Sequence, residues 1–193
     1  MLCPKDRKTP LTLDNLDAEL SAYCCQDCKG HWIPLQHYEE WQAQHPNLSD
    51  PDPSRCRESL SEDFVLSEYD TKAALCPECK HYLSRARISL SNPNHESAAF
   101  YVERCPNCSG IWCDLGEWAM LAKLGWHGAI PLLFTPEWQA RVRKYELEDQ
   151  ERLAIIDKLG NELAQQVFQL ASVLEKHPNG DFAVAYLMRR FEQ

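Results

Sequence analysis

The stretch CPNCSGIWCDLGEW, residues 105–118, decides how the chain is read. Cys105 and Cys108 stand three apart, Gly110 and Trp112 follow, and Asp114-Leu-Gly-Glu117 comes next. A Cys-x-x-Cys turn aims two sulfurs at one point and serves as half of a metal clamp or as a redox pair. The other half lies upstream in CPEC, Cys76 to Cys79, with 25 residues between Cys79 and Cys105. Two such turns supply four thiolates in a tetrahedron, the closed arrangement of a structural zinc site. A thioredoxin-type redox pair needs one reactive pair in a βαβ setting. Here the pairs come as a matched set. YLSRARISL and SAAFYVERC between them are rich in β-formers, and SNPNHE separates the two with turn residues.

The chain contains this unit twice. CPKD, residues 3–6, echoes CPEC, and CQDCKGHW, residues 25–32, repeats the Cys-x-x-Cys-x-Gly-x-Trp spacing of CPNCSGIW. LTLDNLDAELSAY between the halves reads as a shorter hairpin turning near Asp14-Asn15. The copies differ at one ligand position, where Asp6 replaces Cys79. A carboxylate ligates zinc at about 2.0–2.2 Å. Cys3, Asp6, Cys25 and Cys28 are therefore the candidate ligands of the first site. Cys24 is an alternative fourth ligand, His31 is a more distant one, and a first site without metal is the third reading.

The pattern CPEC…CPNCSGIWCDLGEW resembles the transcription factor IIB-type zinc ribbon family of small bacterial proteins. The second copy matches from Cys76 to Trp118. The first matches from Cys3 to Trp32 but lacks the second Cys and the Asp-x-Gly-Glu ending. The resemblance covers under half of the chain. It implies zinc at Cys76, Cys79, Cys105 and Cys108, and in part at Cys3, Cys25 and Cys28. It implies little about activity.

The flanking residues have physical roles. Gly30 and Gly110 suit positive φ or close backbone approach. Trp32 and Trp112 are expected to lay an indole over each small ribbon core. Zinc supplies the stability such a core lacks, about 10–16 kcal/mol per site in small peptides. Asp114 and Glu117 read as a capping box opening a helix that Gly125 ends. Cys113 is expected beside Trp112, and Cys56 in a Pro- and Ser-rich linker, where Phe64–Tyr69 suits a short docking strand. PLQHYEEWQAQHPN reads as a helix with Pro34 in its first turn and Tyr38 and Trp41 on one face, leaving His37 and His45 at the surface. Thr135-Pro136-Glu137 opens a helical C-terminal third that breaks at Gly160 and at KHPNG. Its apolar stripes, including Leu163, Val167, Leu170 and Leu174, then Phe182, Tyr186 and Leu187, are expected to face a core.

The expected fold class is α+β, with two small zinc-ribbon modules and a helical C-terminal extension. The first ribbon and its trailing helix occupy 1–48, a linker 49–70, the second ribbon and helix 71–130, and the helical region 131–193. The start lacks the apolar core of a signal peptide, which points to the cytosol, where ten cysteines call for metal rather than disulfides. No apolar run is long enough to span a membrane. A formal charge of −9 spread along the chain disfavours general nucleic-acid binding. The expected function is a non-enzymatic, zinc-binding adaptor or regulator with a protein partner. The alternative is a transcription-associated or nucleic-acid-binding factor using Lys80, His81, Arg85, Arg87 and Arg104 beside Tyr82 and Tyr101. In the blander reading of that hairpin, Glu103 neutralises Arg85 and Arg87 across the strands. A rubredoxin-like iron site for electron transfer comes last.

Overall fold

The computed structural model describes residues 1–17, 19–46, 51–57, 66–91 and 97–191. It is a mixed α/β structure. Six strands make one antiparallel sheet in the order β1-β2-β3-β6-β5-β4. Strands β1 (Leu11–Asp17), β2 (Leu20–Cys25) and β3 (His31–Ile33) come from the first copy. Strands β4 (Ser84–Ser91), β5 (Ser97–Arg104) and β6 (Ile111–Cys113) come from the second. Hairpins β1–β2 and β4–β5 hold the register of each copy, from Leu11↔Cys25 and from Ser84↔Arg104.

The sequence reading missed β3 and β6, and they join the copies. The two three-residue strands pair antiparallel through His31↔Cys113, Trp32↔Trp112 and Ile33↔Ile111. Trp32 and Trp112 are equivalent residues, so a local two-fold axis runs between them, as in an isologous dimer interface. Both copies consequently lie in one compact unit, Met1–Arg141, and Val142–Gln193 form a second.

The first hairpin turns later than Asp14-Asn15. β1 runs on to Asp17, paired with Leu20, with an irregularity between Asn15 and Asp17. β1 is the edge of the sheet and mostly exposed, so polar residues are tolerated along it. The SNPNHE turn falls largely on residues 92–96, outside the described residues. Of the expected Phe64–Tyr69 strand, only 66–69 are described, and they are not a strand. Cys56 belongs to a 3-10 turn, Pro53–Arg57, and its side chain lies outside the described residues.

Helix α1 (Leu35–Gln44) follows β3 and packs on β2, with Pro34 at its N-cap and Tyr38 and Trp41 buried. Tyr38 Oη donates to His127 O at 2.8 Å and accepts from Ile130 N at 3.1 Å, pinning α1 to the chain beyond helix α2 (Glu117–Leu124). Trp41 adds ring contacts to Trp118 and His127 with centroids 5.3 and 5.2 Å apart. Gly125, at φ 74°, ends α2 as expected. A short helix α3 (Ile130–Leu133) precedes α4 (Pro136–Leu159), whose start is capped by Thr135 Oγ1 accepting from Trp138 N at 3.2 Å.

In the second unit Gly160, at φ 75°, separates α4 from α5 (Asn161–Lys176), and α6 (Gly180–Phe191) packs against α5. The apolar stripes here are not covered as expected. Leu163, Val167, Leu170, Phe182, Tyr186, Leu187 and Phe191 are all exposed. Val167, Leu170, Leu174, Val184 and Leu187 line an apolar groove between α5 and α6. Two helices bury too little of each other to hide amphipathic faces this wide. Among the described residues no helix is long and apolar enough to cross a membrane.

Candidate metal centre

All four Cys-containing turns share one backbone. The residue after each turn's fourth position closes the turn with its N–H on the carbonyl of the first Cys: Arg7 on Cys3, Lys29 on Cys25, Lys80 on Cys76 and Ser109 on Cys105, at 2.9–3.0 Å. The same four residues hold positive φ of 58–63°. The left-handed residue therefore lies one place before Gly30 and Gly110, not on them. Backbone N–H groups of Asp6, Cys79 and Cys108 point at the first sulfur of their own turns, at 3.4–3.5 Å. Such contacts stabilise thiolate charge.

In the second copy the sulfurs of Cys76, Cys79, Cys105 and Cys108 all lie within 4.8 Å of one another. Cys76 and Cys108 are 3.5 Å apart, and Cys79 and Cys105 3.4 Å. A disulfide needs about 2.05 Å. Tetrahedral ligation at about 2.3 Å sets sulfurs about 3.8 Å apart. The cluster could hold a metal ion, and the geometry fits one. Titrated by protons alone, the thiols diverge. Burial pushes Cys76 up to about 11 and Cys108 higher, while the His81 backbone N–H leads the effects that draw Cys79 down to about 5. A divalent cation in the centre would favour the thiolate form of all four and offset half of their charge.

The first copy reproduces this pairing with one substitution. Cys3 lies 3.6 Å from Cys28, as Cys76 does from Cys108. Asp6 Oδ2 lies 3.5 Å from Cys25 Sγ, as Cys79 Sγ does from Cys105. Cys3, Cys25 and Cys28 form a second group that could hold a metal ion, and Asp6 borders it. Burial opposes charge on Asp6, but the Thr9 side chain and the N–H groups of Lys8 and Thr9 outweigh it and hold the carboxyl down at about 2. Asp6 Oδ1 takes those two N–H bonds at 2.8 and 3.0 Å, leaving Oδ2 toward Cys25 Sγ. Cys24 and His31 are not with this cluster. Strand alternation turns Cys24 to the other face of the sheet from Cys25, where it meets His31 and Asp14.

The glycines and tryptophans work across the two-fold. A Cβ on Gly30 would lie 2.3 Å from Cζ2 of Trp112, and one on Gly110 would lie 2.2 Å from Cζ2 of Trp32. Each indole therefore covers the other copy's turn, not its own as expected. The indole N–H of Trp32 donates to Glu78 Oε1 at 2.9 Å, in the other copy's first turn. The residue equivalent to Glu78 is Lys5, which cannot accept a hydrogen bond. Trp112 Nε1 donates instead to Asp114 Oδ1 at 2.7 Å, and Asp114 Oδ2 faces Lys5 Nζ at 3.5 Å. Gly110→Ala is expected to cost about 1–3 kcal/mol by overpacking. Chemical denaturation of Trp32→Ala, Gly110→Ala and the double variant should show the second change costing much less once Trp32 is gone. Additive costs would contradict the contact.

Asp114 and Glu117 are less a helix cap than a buried network. Glu117 Oε2 accepts from Asp114 N at 2.8 Å, half of the expected capping box, but the N-cap position belongs to Gly116 at φ 83°. Burial pushes Glu117 well above the carboxylate range, with Asp114 and Asp70 adding to it. Lys5 is the cation at this network's edge. Its ammonium group meets Glu103 Oε2 at 2.8 Å and the carbonyls of Tyr69 and Lys72 at 3.2 Å, with no exposed side-chain surface on Lys5 or Glu103. Arg85 faces Glu103 Oε1 at 3.5 Å, donates to the Asp70 carbonyl and lies 3.9 Å over the Tyr101 ring. The cross-hairpin pairing with Glu103 is thus present for Arg85, while Arg87 is the register partner of Tyr101.

No protein-family model, curated protein or solved structure matches the chain in these comparisons.

Proposed function

We propose that the two copies are zinc ribbons fused back to back, each holding one zinc ion, and that the protein is a non-enzymatic adaptor or regulator that binds a protein partner. The observation that carries this reading is the donor set of the second cluster: four protein sulfurs leave no coordination position for water or substrate. Zinc catalysis needs such an open position. In the first site Asp6 Oδ2 completes the three sulfurs of Cys3, Cys25 and Cys28. The resemblance of Cys76–Trp118 to the IIB-type ribbon pattern favours zinc over iron.

Three features support a protein partner over nucleic acid. Arg85 is spent on Glu103, Asp70 and Tyr101, and the chain carries a formal charge of −9. The α5–α6 groove offers apolar surface of the kind that protein partners cover. The test uses the full zinc-loaded chain. Anisotropy with labelled single- and double-stranded DNA and RNA at low salt should show no binding that weakens with added salt. Affinity capture from the native host should retain a protein that is lost with Leu170→Asp. Salt-dependent nucleic-acid binding, or a capture unaffected by that substitution, would contradict the reading.

The fourth ligand has its own test. Asp6→Cys restores the four-sulfur set and should make the first ion harder to strip with chelator, followed by a chromogenic zinc indicator. Asp6→Ala should make it easier. Equal release rates across wild type, Asp6→Cys and Asp6→Ala would remove Asp6 from the site.

A further inference from the structure

We propose a third metal site, on the opposite face of the sheet from the two sulfur clusters and confined to the first copy. Its donors are Asp14 on β1, Cys24 on β2 and His31 on β3. One ligand atom from each lies within 4.8 Å of the others. The sheet brings them together. Cys24 and His31 are direct register partners. Asp14 stands two residues along β1 from Thr12, the partner of Cys24, and so shares their face.

The repeat gives an internal control. Cys24 precedes Cys25 as Arg104 precedes Cys105, and His31 follows Gly30 as Ile111 follows Gly110. Asp14 pairs with Ala22 as Ala86 pairs with Val102. The second copy therefore builds the same three sheet positions from Ala86, Arg104 and Ile111. The fold does not require donors there. Their presence in one copy alone, all three of metal-binding type and all converging, is what a site would produce. None of the three belongs to the Cys3, Cys25, Cys28 group.

The donor chemistry sets the ion. A carboxylate, a thiolate and an imidazole form a mixed O, S and N set, which suits zinc-class divalent ions; magnesium and calcium take oxygen. Three protein donors leave one coordination position for water or a small exogenous ligand. Cys24 is buried, His31 half-buried and Asp14 exposed, so the ion would sit at the wet edge of the sheet. Such an ion exchanges more readily than one held by four protein ligands.

The experiment counts metal. The full chain is saturated with zinc, desalted, and its zinc measured by mass spectrometry alongside protein concentration, for wild type, Asp14→Ala, Cys24→Ser and His31→Ala. Three equivalents are expected in wild type and two in each variant, and a mild chelator should remove the third first. Asp14 is exposed, so Asp14→Ala is expected to keep the wild-type melting temperature and to serve where the other two variants fold poorly. Cobalt provides a second readout: the third equivalent should add a visible band that shifts with added imidazole, and Asp14→Ala should lack it. A wild type that saturates at two, or an Asp14→Ala variant that still takes three, would overturn the proposal. The outcome is separable from the two-zinc reading, because only the third equivalent carries the imidazole-sensitive cobalt band, and Asp14→Ala removes that band while the two sulfur-bound equivalents stay.

Discussion

On the two-zinc proposal, Cys105→Ser is expected to release the second cluster's ion and to loosen the first with it. The sulfur is buried, and it faces Cys79 at 3.4 Å. Its loss removes one of four donors from a site type worth about 10–16 kcal/mol in peptides that fold only around their metal. Were the ribbons independent modules, the first ion would stay as it was. They share one sheet instead, through Trp32↔Trp112 and its neighbours, and each indole rests on the other copy's glycine. Unfolding β5 and β6 exposes β3 and uncovers Gly30 of the intact copy. Metal analysis should show one equivalent lost, and the remaining ion should leave faster with chelator than in wild type. The α5–α6 pair belongs to a separate compact unit, so the far-UV helical signal should largely persist. A first ion that leaves at the wild-type rate would show that the sheet does not couple the sites.

Lys5→Met has the second largest expected effect, about 3–5 kcal/mol, because it removes the ammonium group from two buried carboxylates and leaves Glu103 only Arg85. Glu103 and Asp114 face the Lys5 ammonium at 2.8 and 3.5 Å, and almost none of this is exposed to solvent. The effect should depend on pH. Burial already pushes Glu103 up to about 7, and Lys5 is the strongest influence pulling it back. A carboxyl whose folded pKa is raised contributes stability while protonated and loses it as pH rises through that value. Without Lys5 the folded pKa rises further, so the loss extends to higher pH. Urea denaturation should find Lys5→Met more destabilised at about pH 8.5 than at about pH 6, with Glu103→Gln added to it recovering part of the difference. A pH-independent cost would mean that the ammonium group acts through packing alone.

The sequence made the local chemistry legible and left its assembly hidden. Cys-x-x-Cys spacing fixes the turn geometry by itself, so the thiol clusters could be placed from residues 3–28 and 76–108 alone. The alternation of β-formers located β4 and β5. His31–Ile33 and Ile111–Cys113 are too short to show a period, and each pairs with the other as well as with a strand of its own copy. A signal was present all the same: the Gly-x-Trp pair recurs with identical spacing, and a glycine that must make room for a tryptophan need not belong to the same copy. Lys5 was unreadable because burial of a lysine depends on partners 64 to 109 residues away in Tyr69, Lys72, Glu103 and Asp114. From sequence, Cys24 and His31 read as spare ligands for the first cluster, because linear proximity says nothing about which face of a strand a side chain takes. The C-terminal stripes were read correctly as amphipathic helices, but periodicity cannot say whether a face is covered.

Zinc K-edge absorption on the full chain carrying two tightly bound ions tests the central claim most directly. The account predicts a first shell dominated by sulfur at about 2.3 Å, with a minor oxygen component at about 2.0–2.2 Å that disappears in Asp6→Cys. A chain that keeps its fold without stoichiometric metal, or a shell made mainly of oxygen and nitrogen, would contradict it.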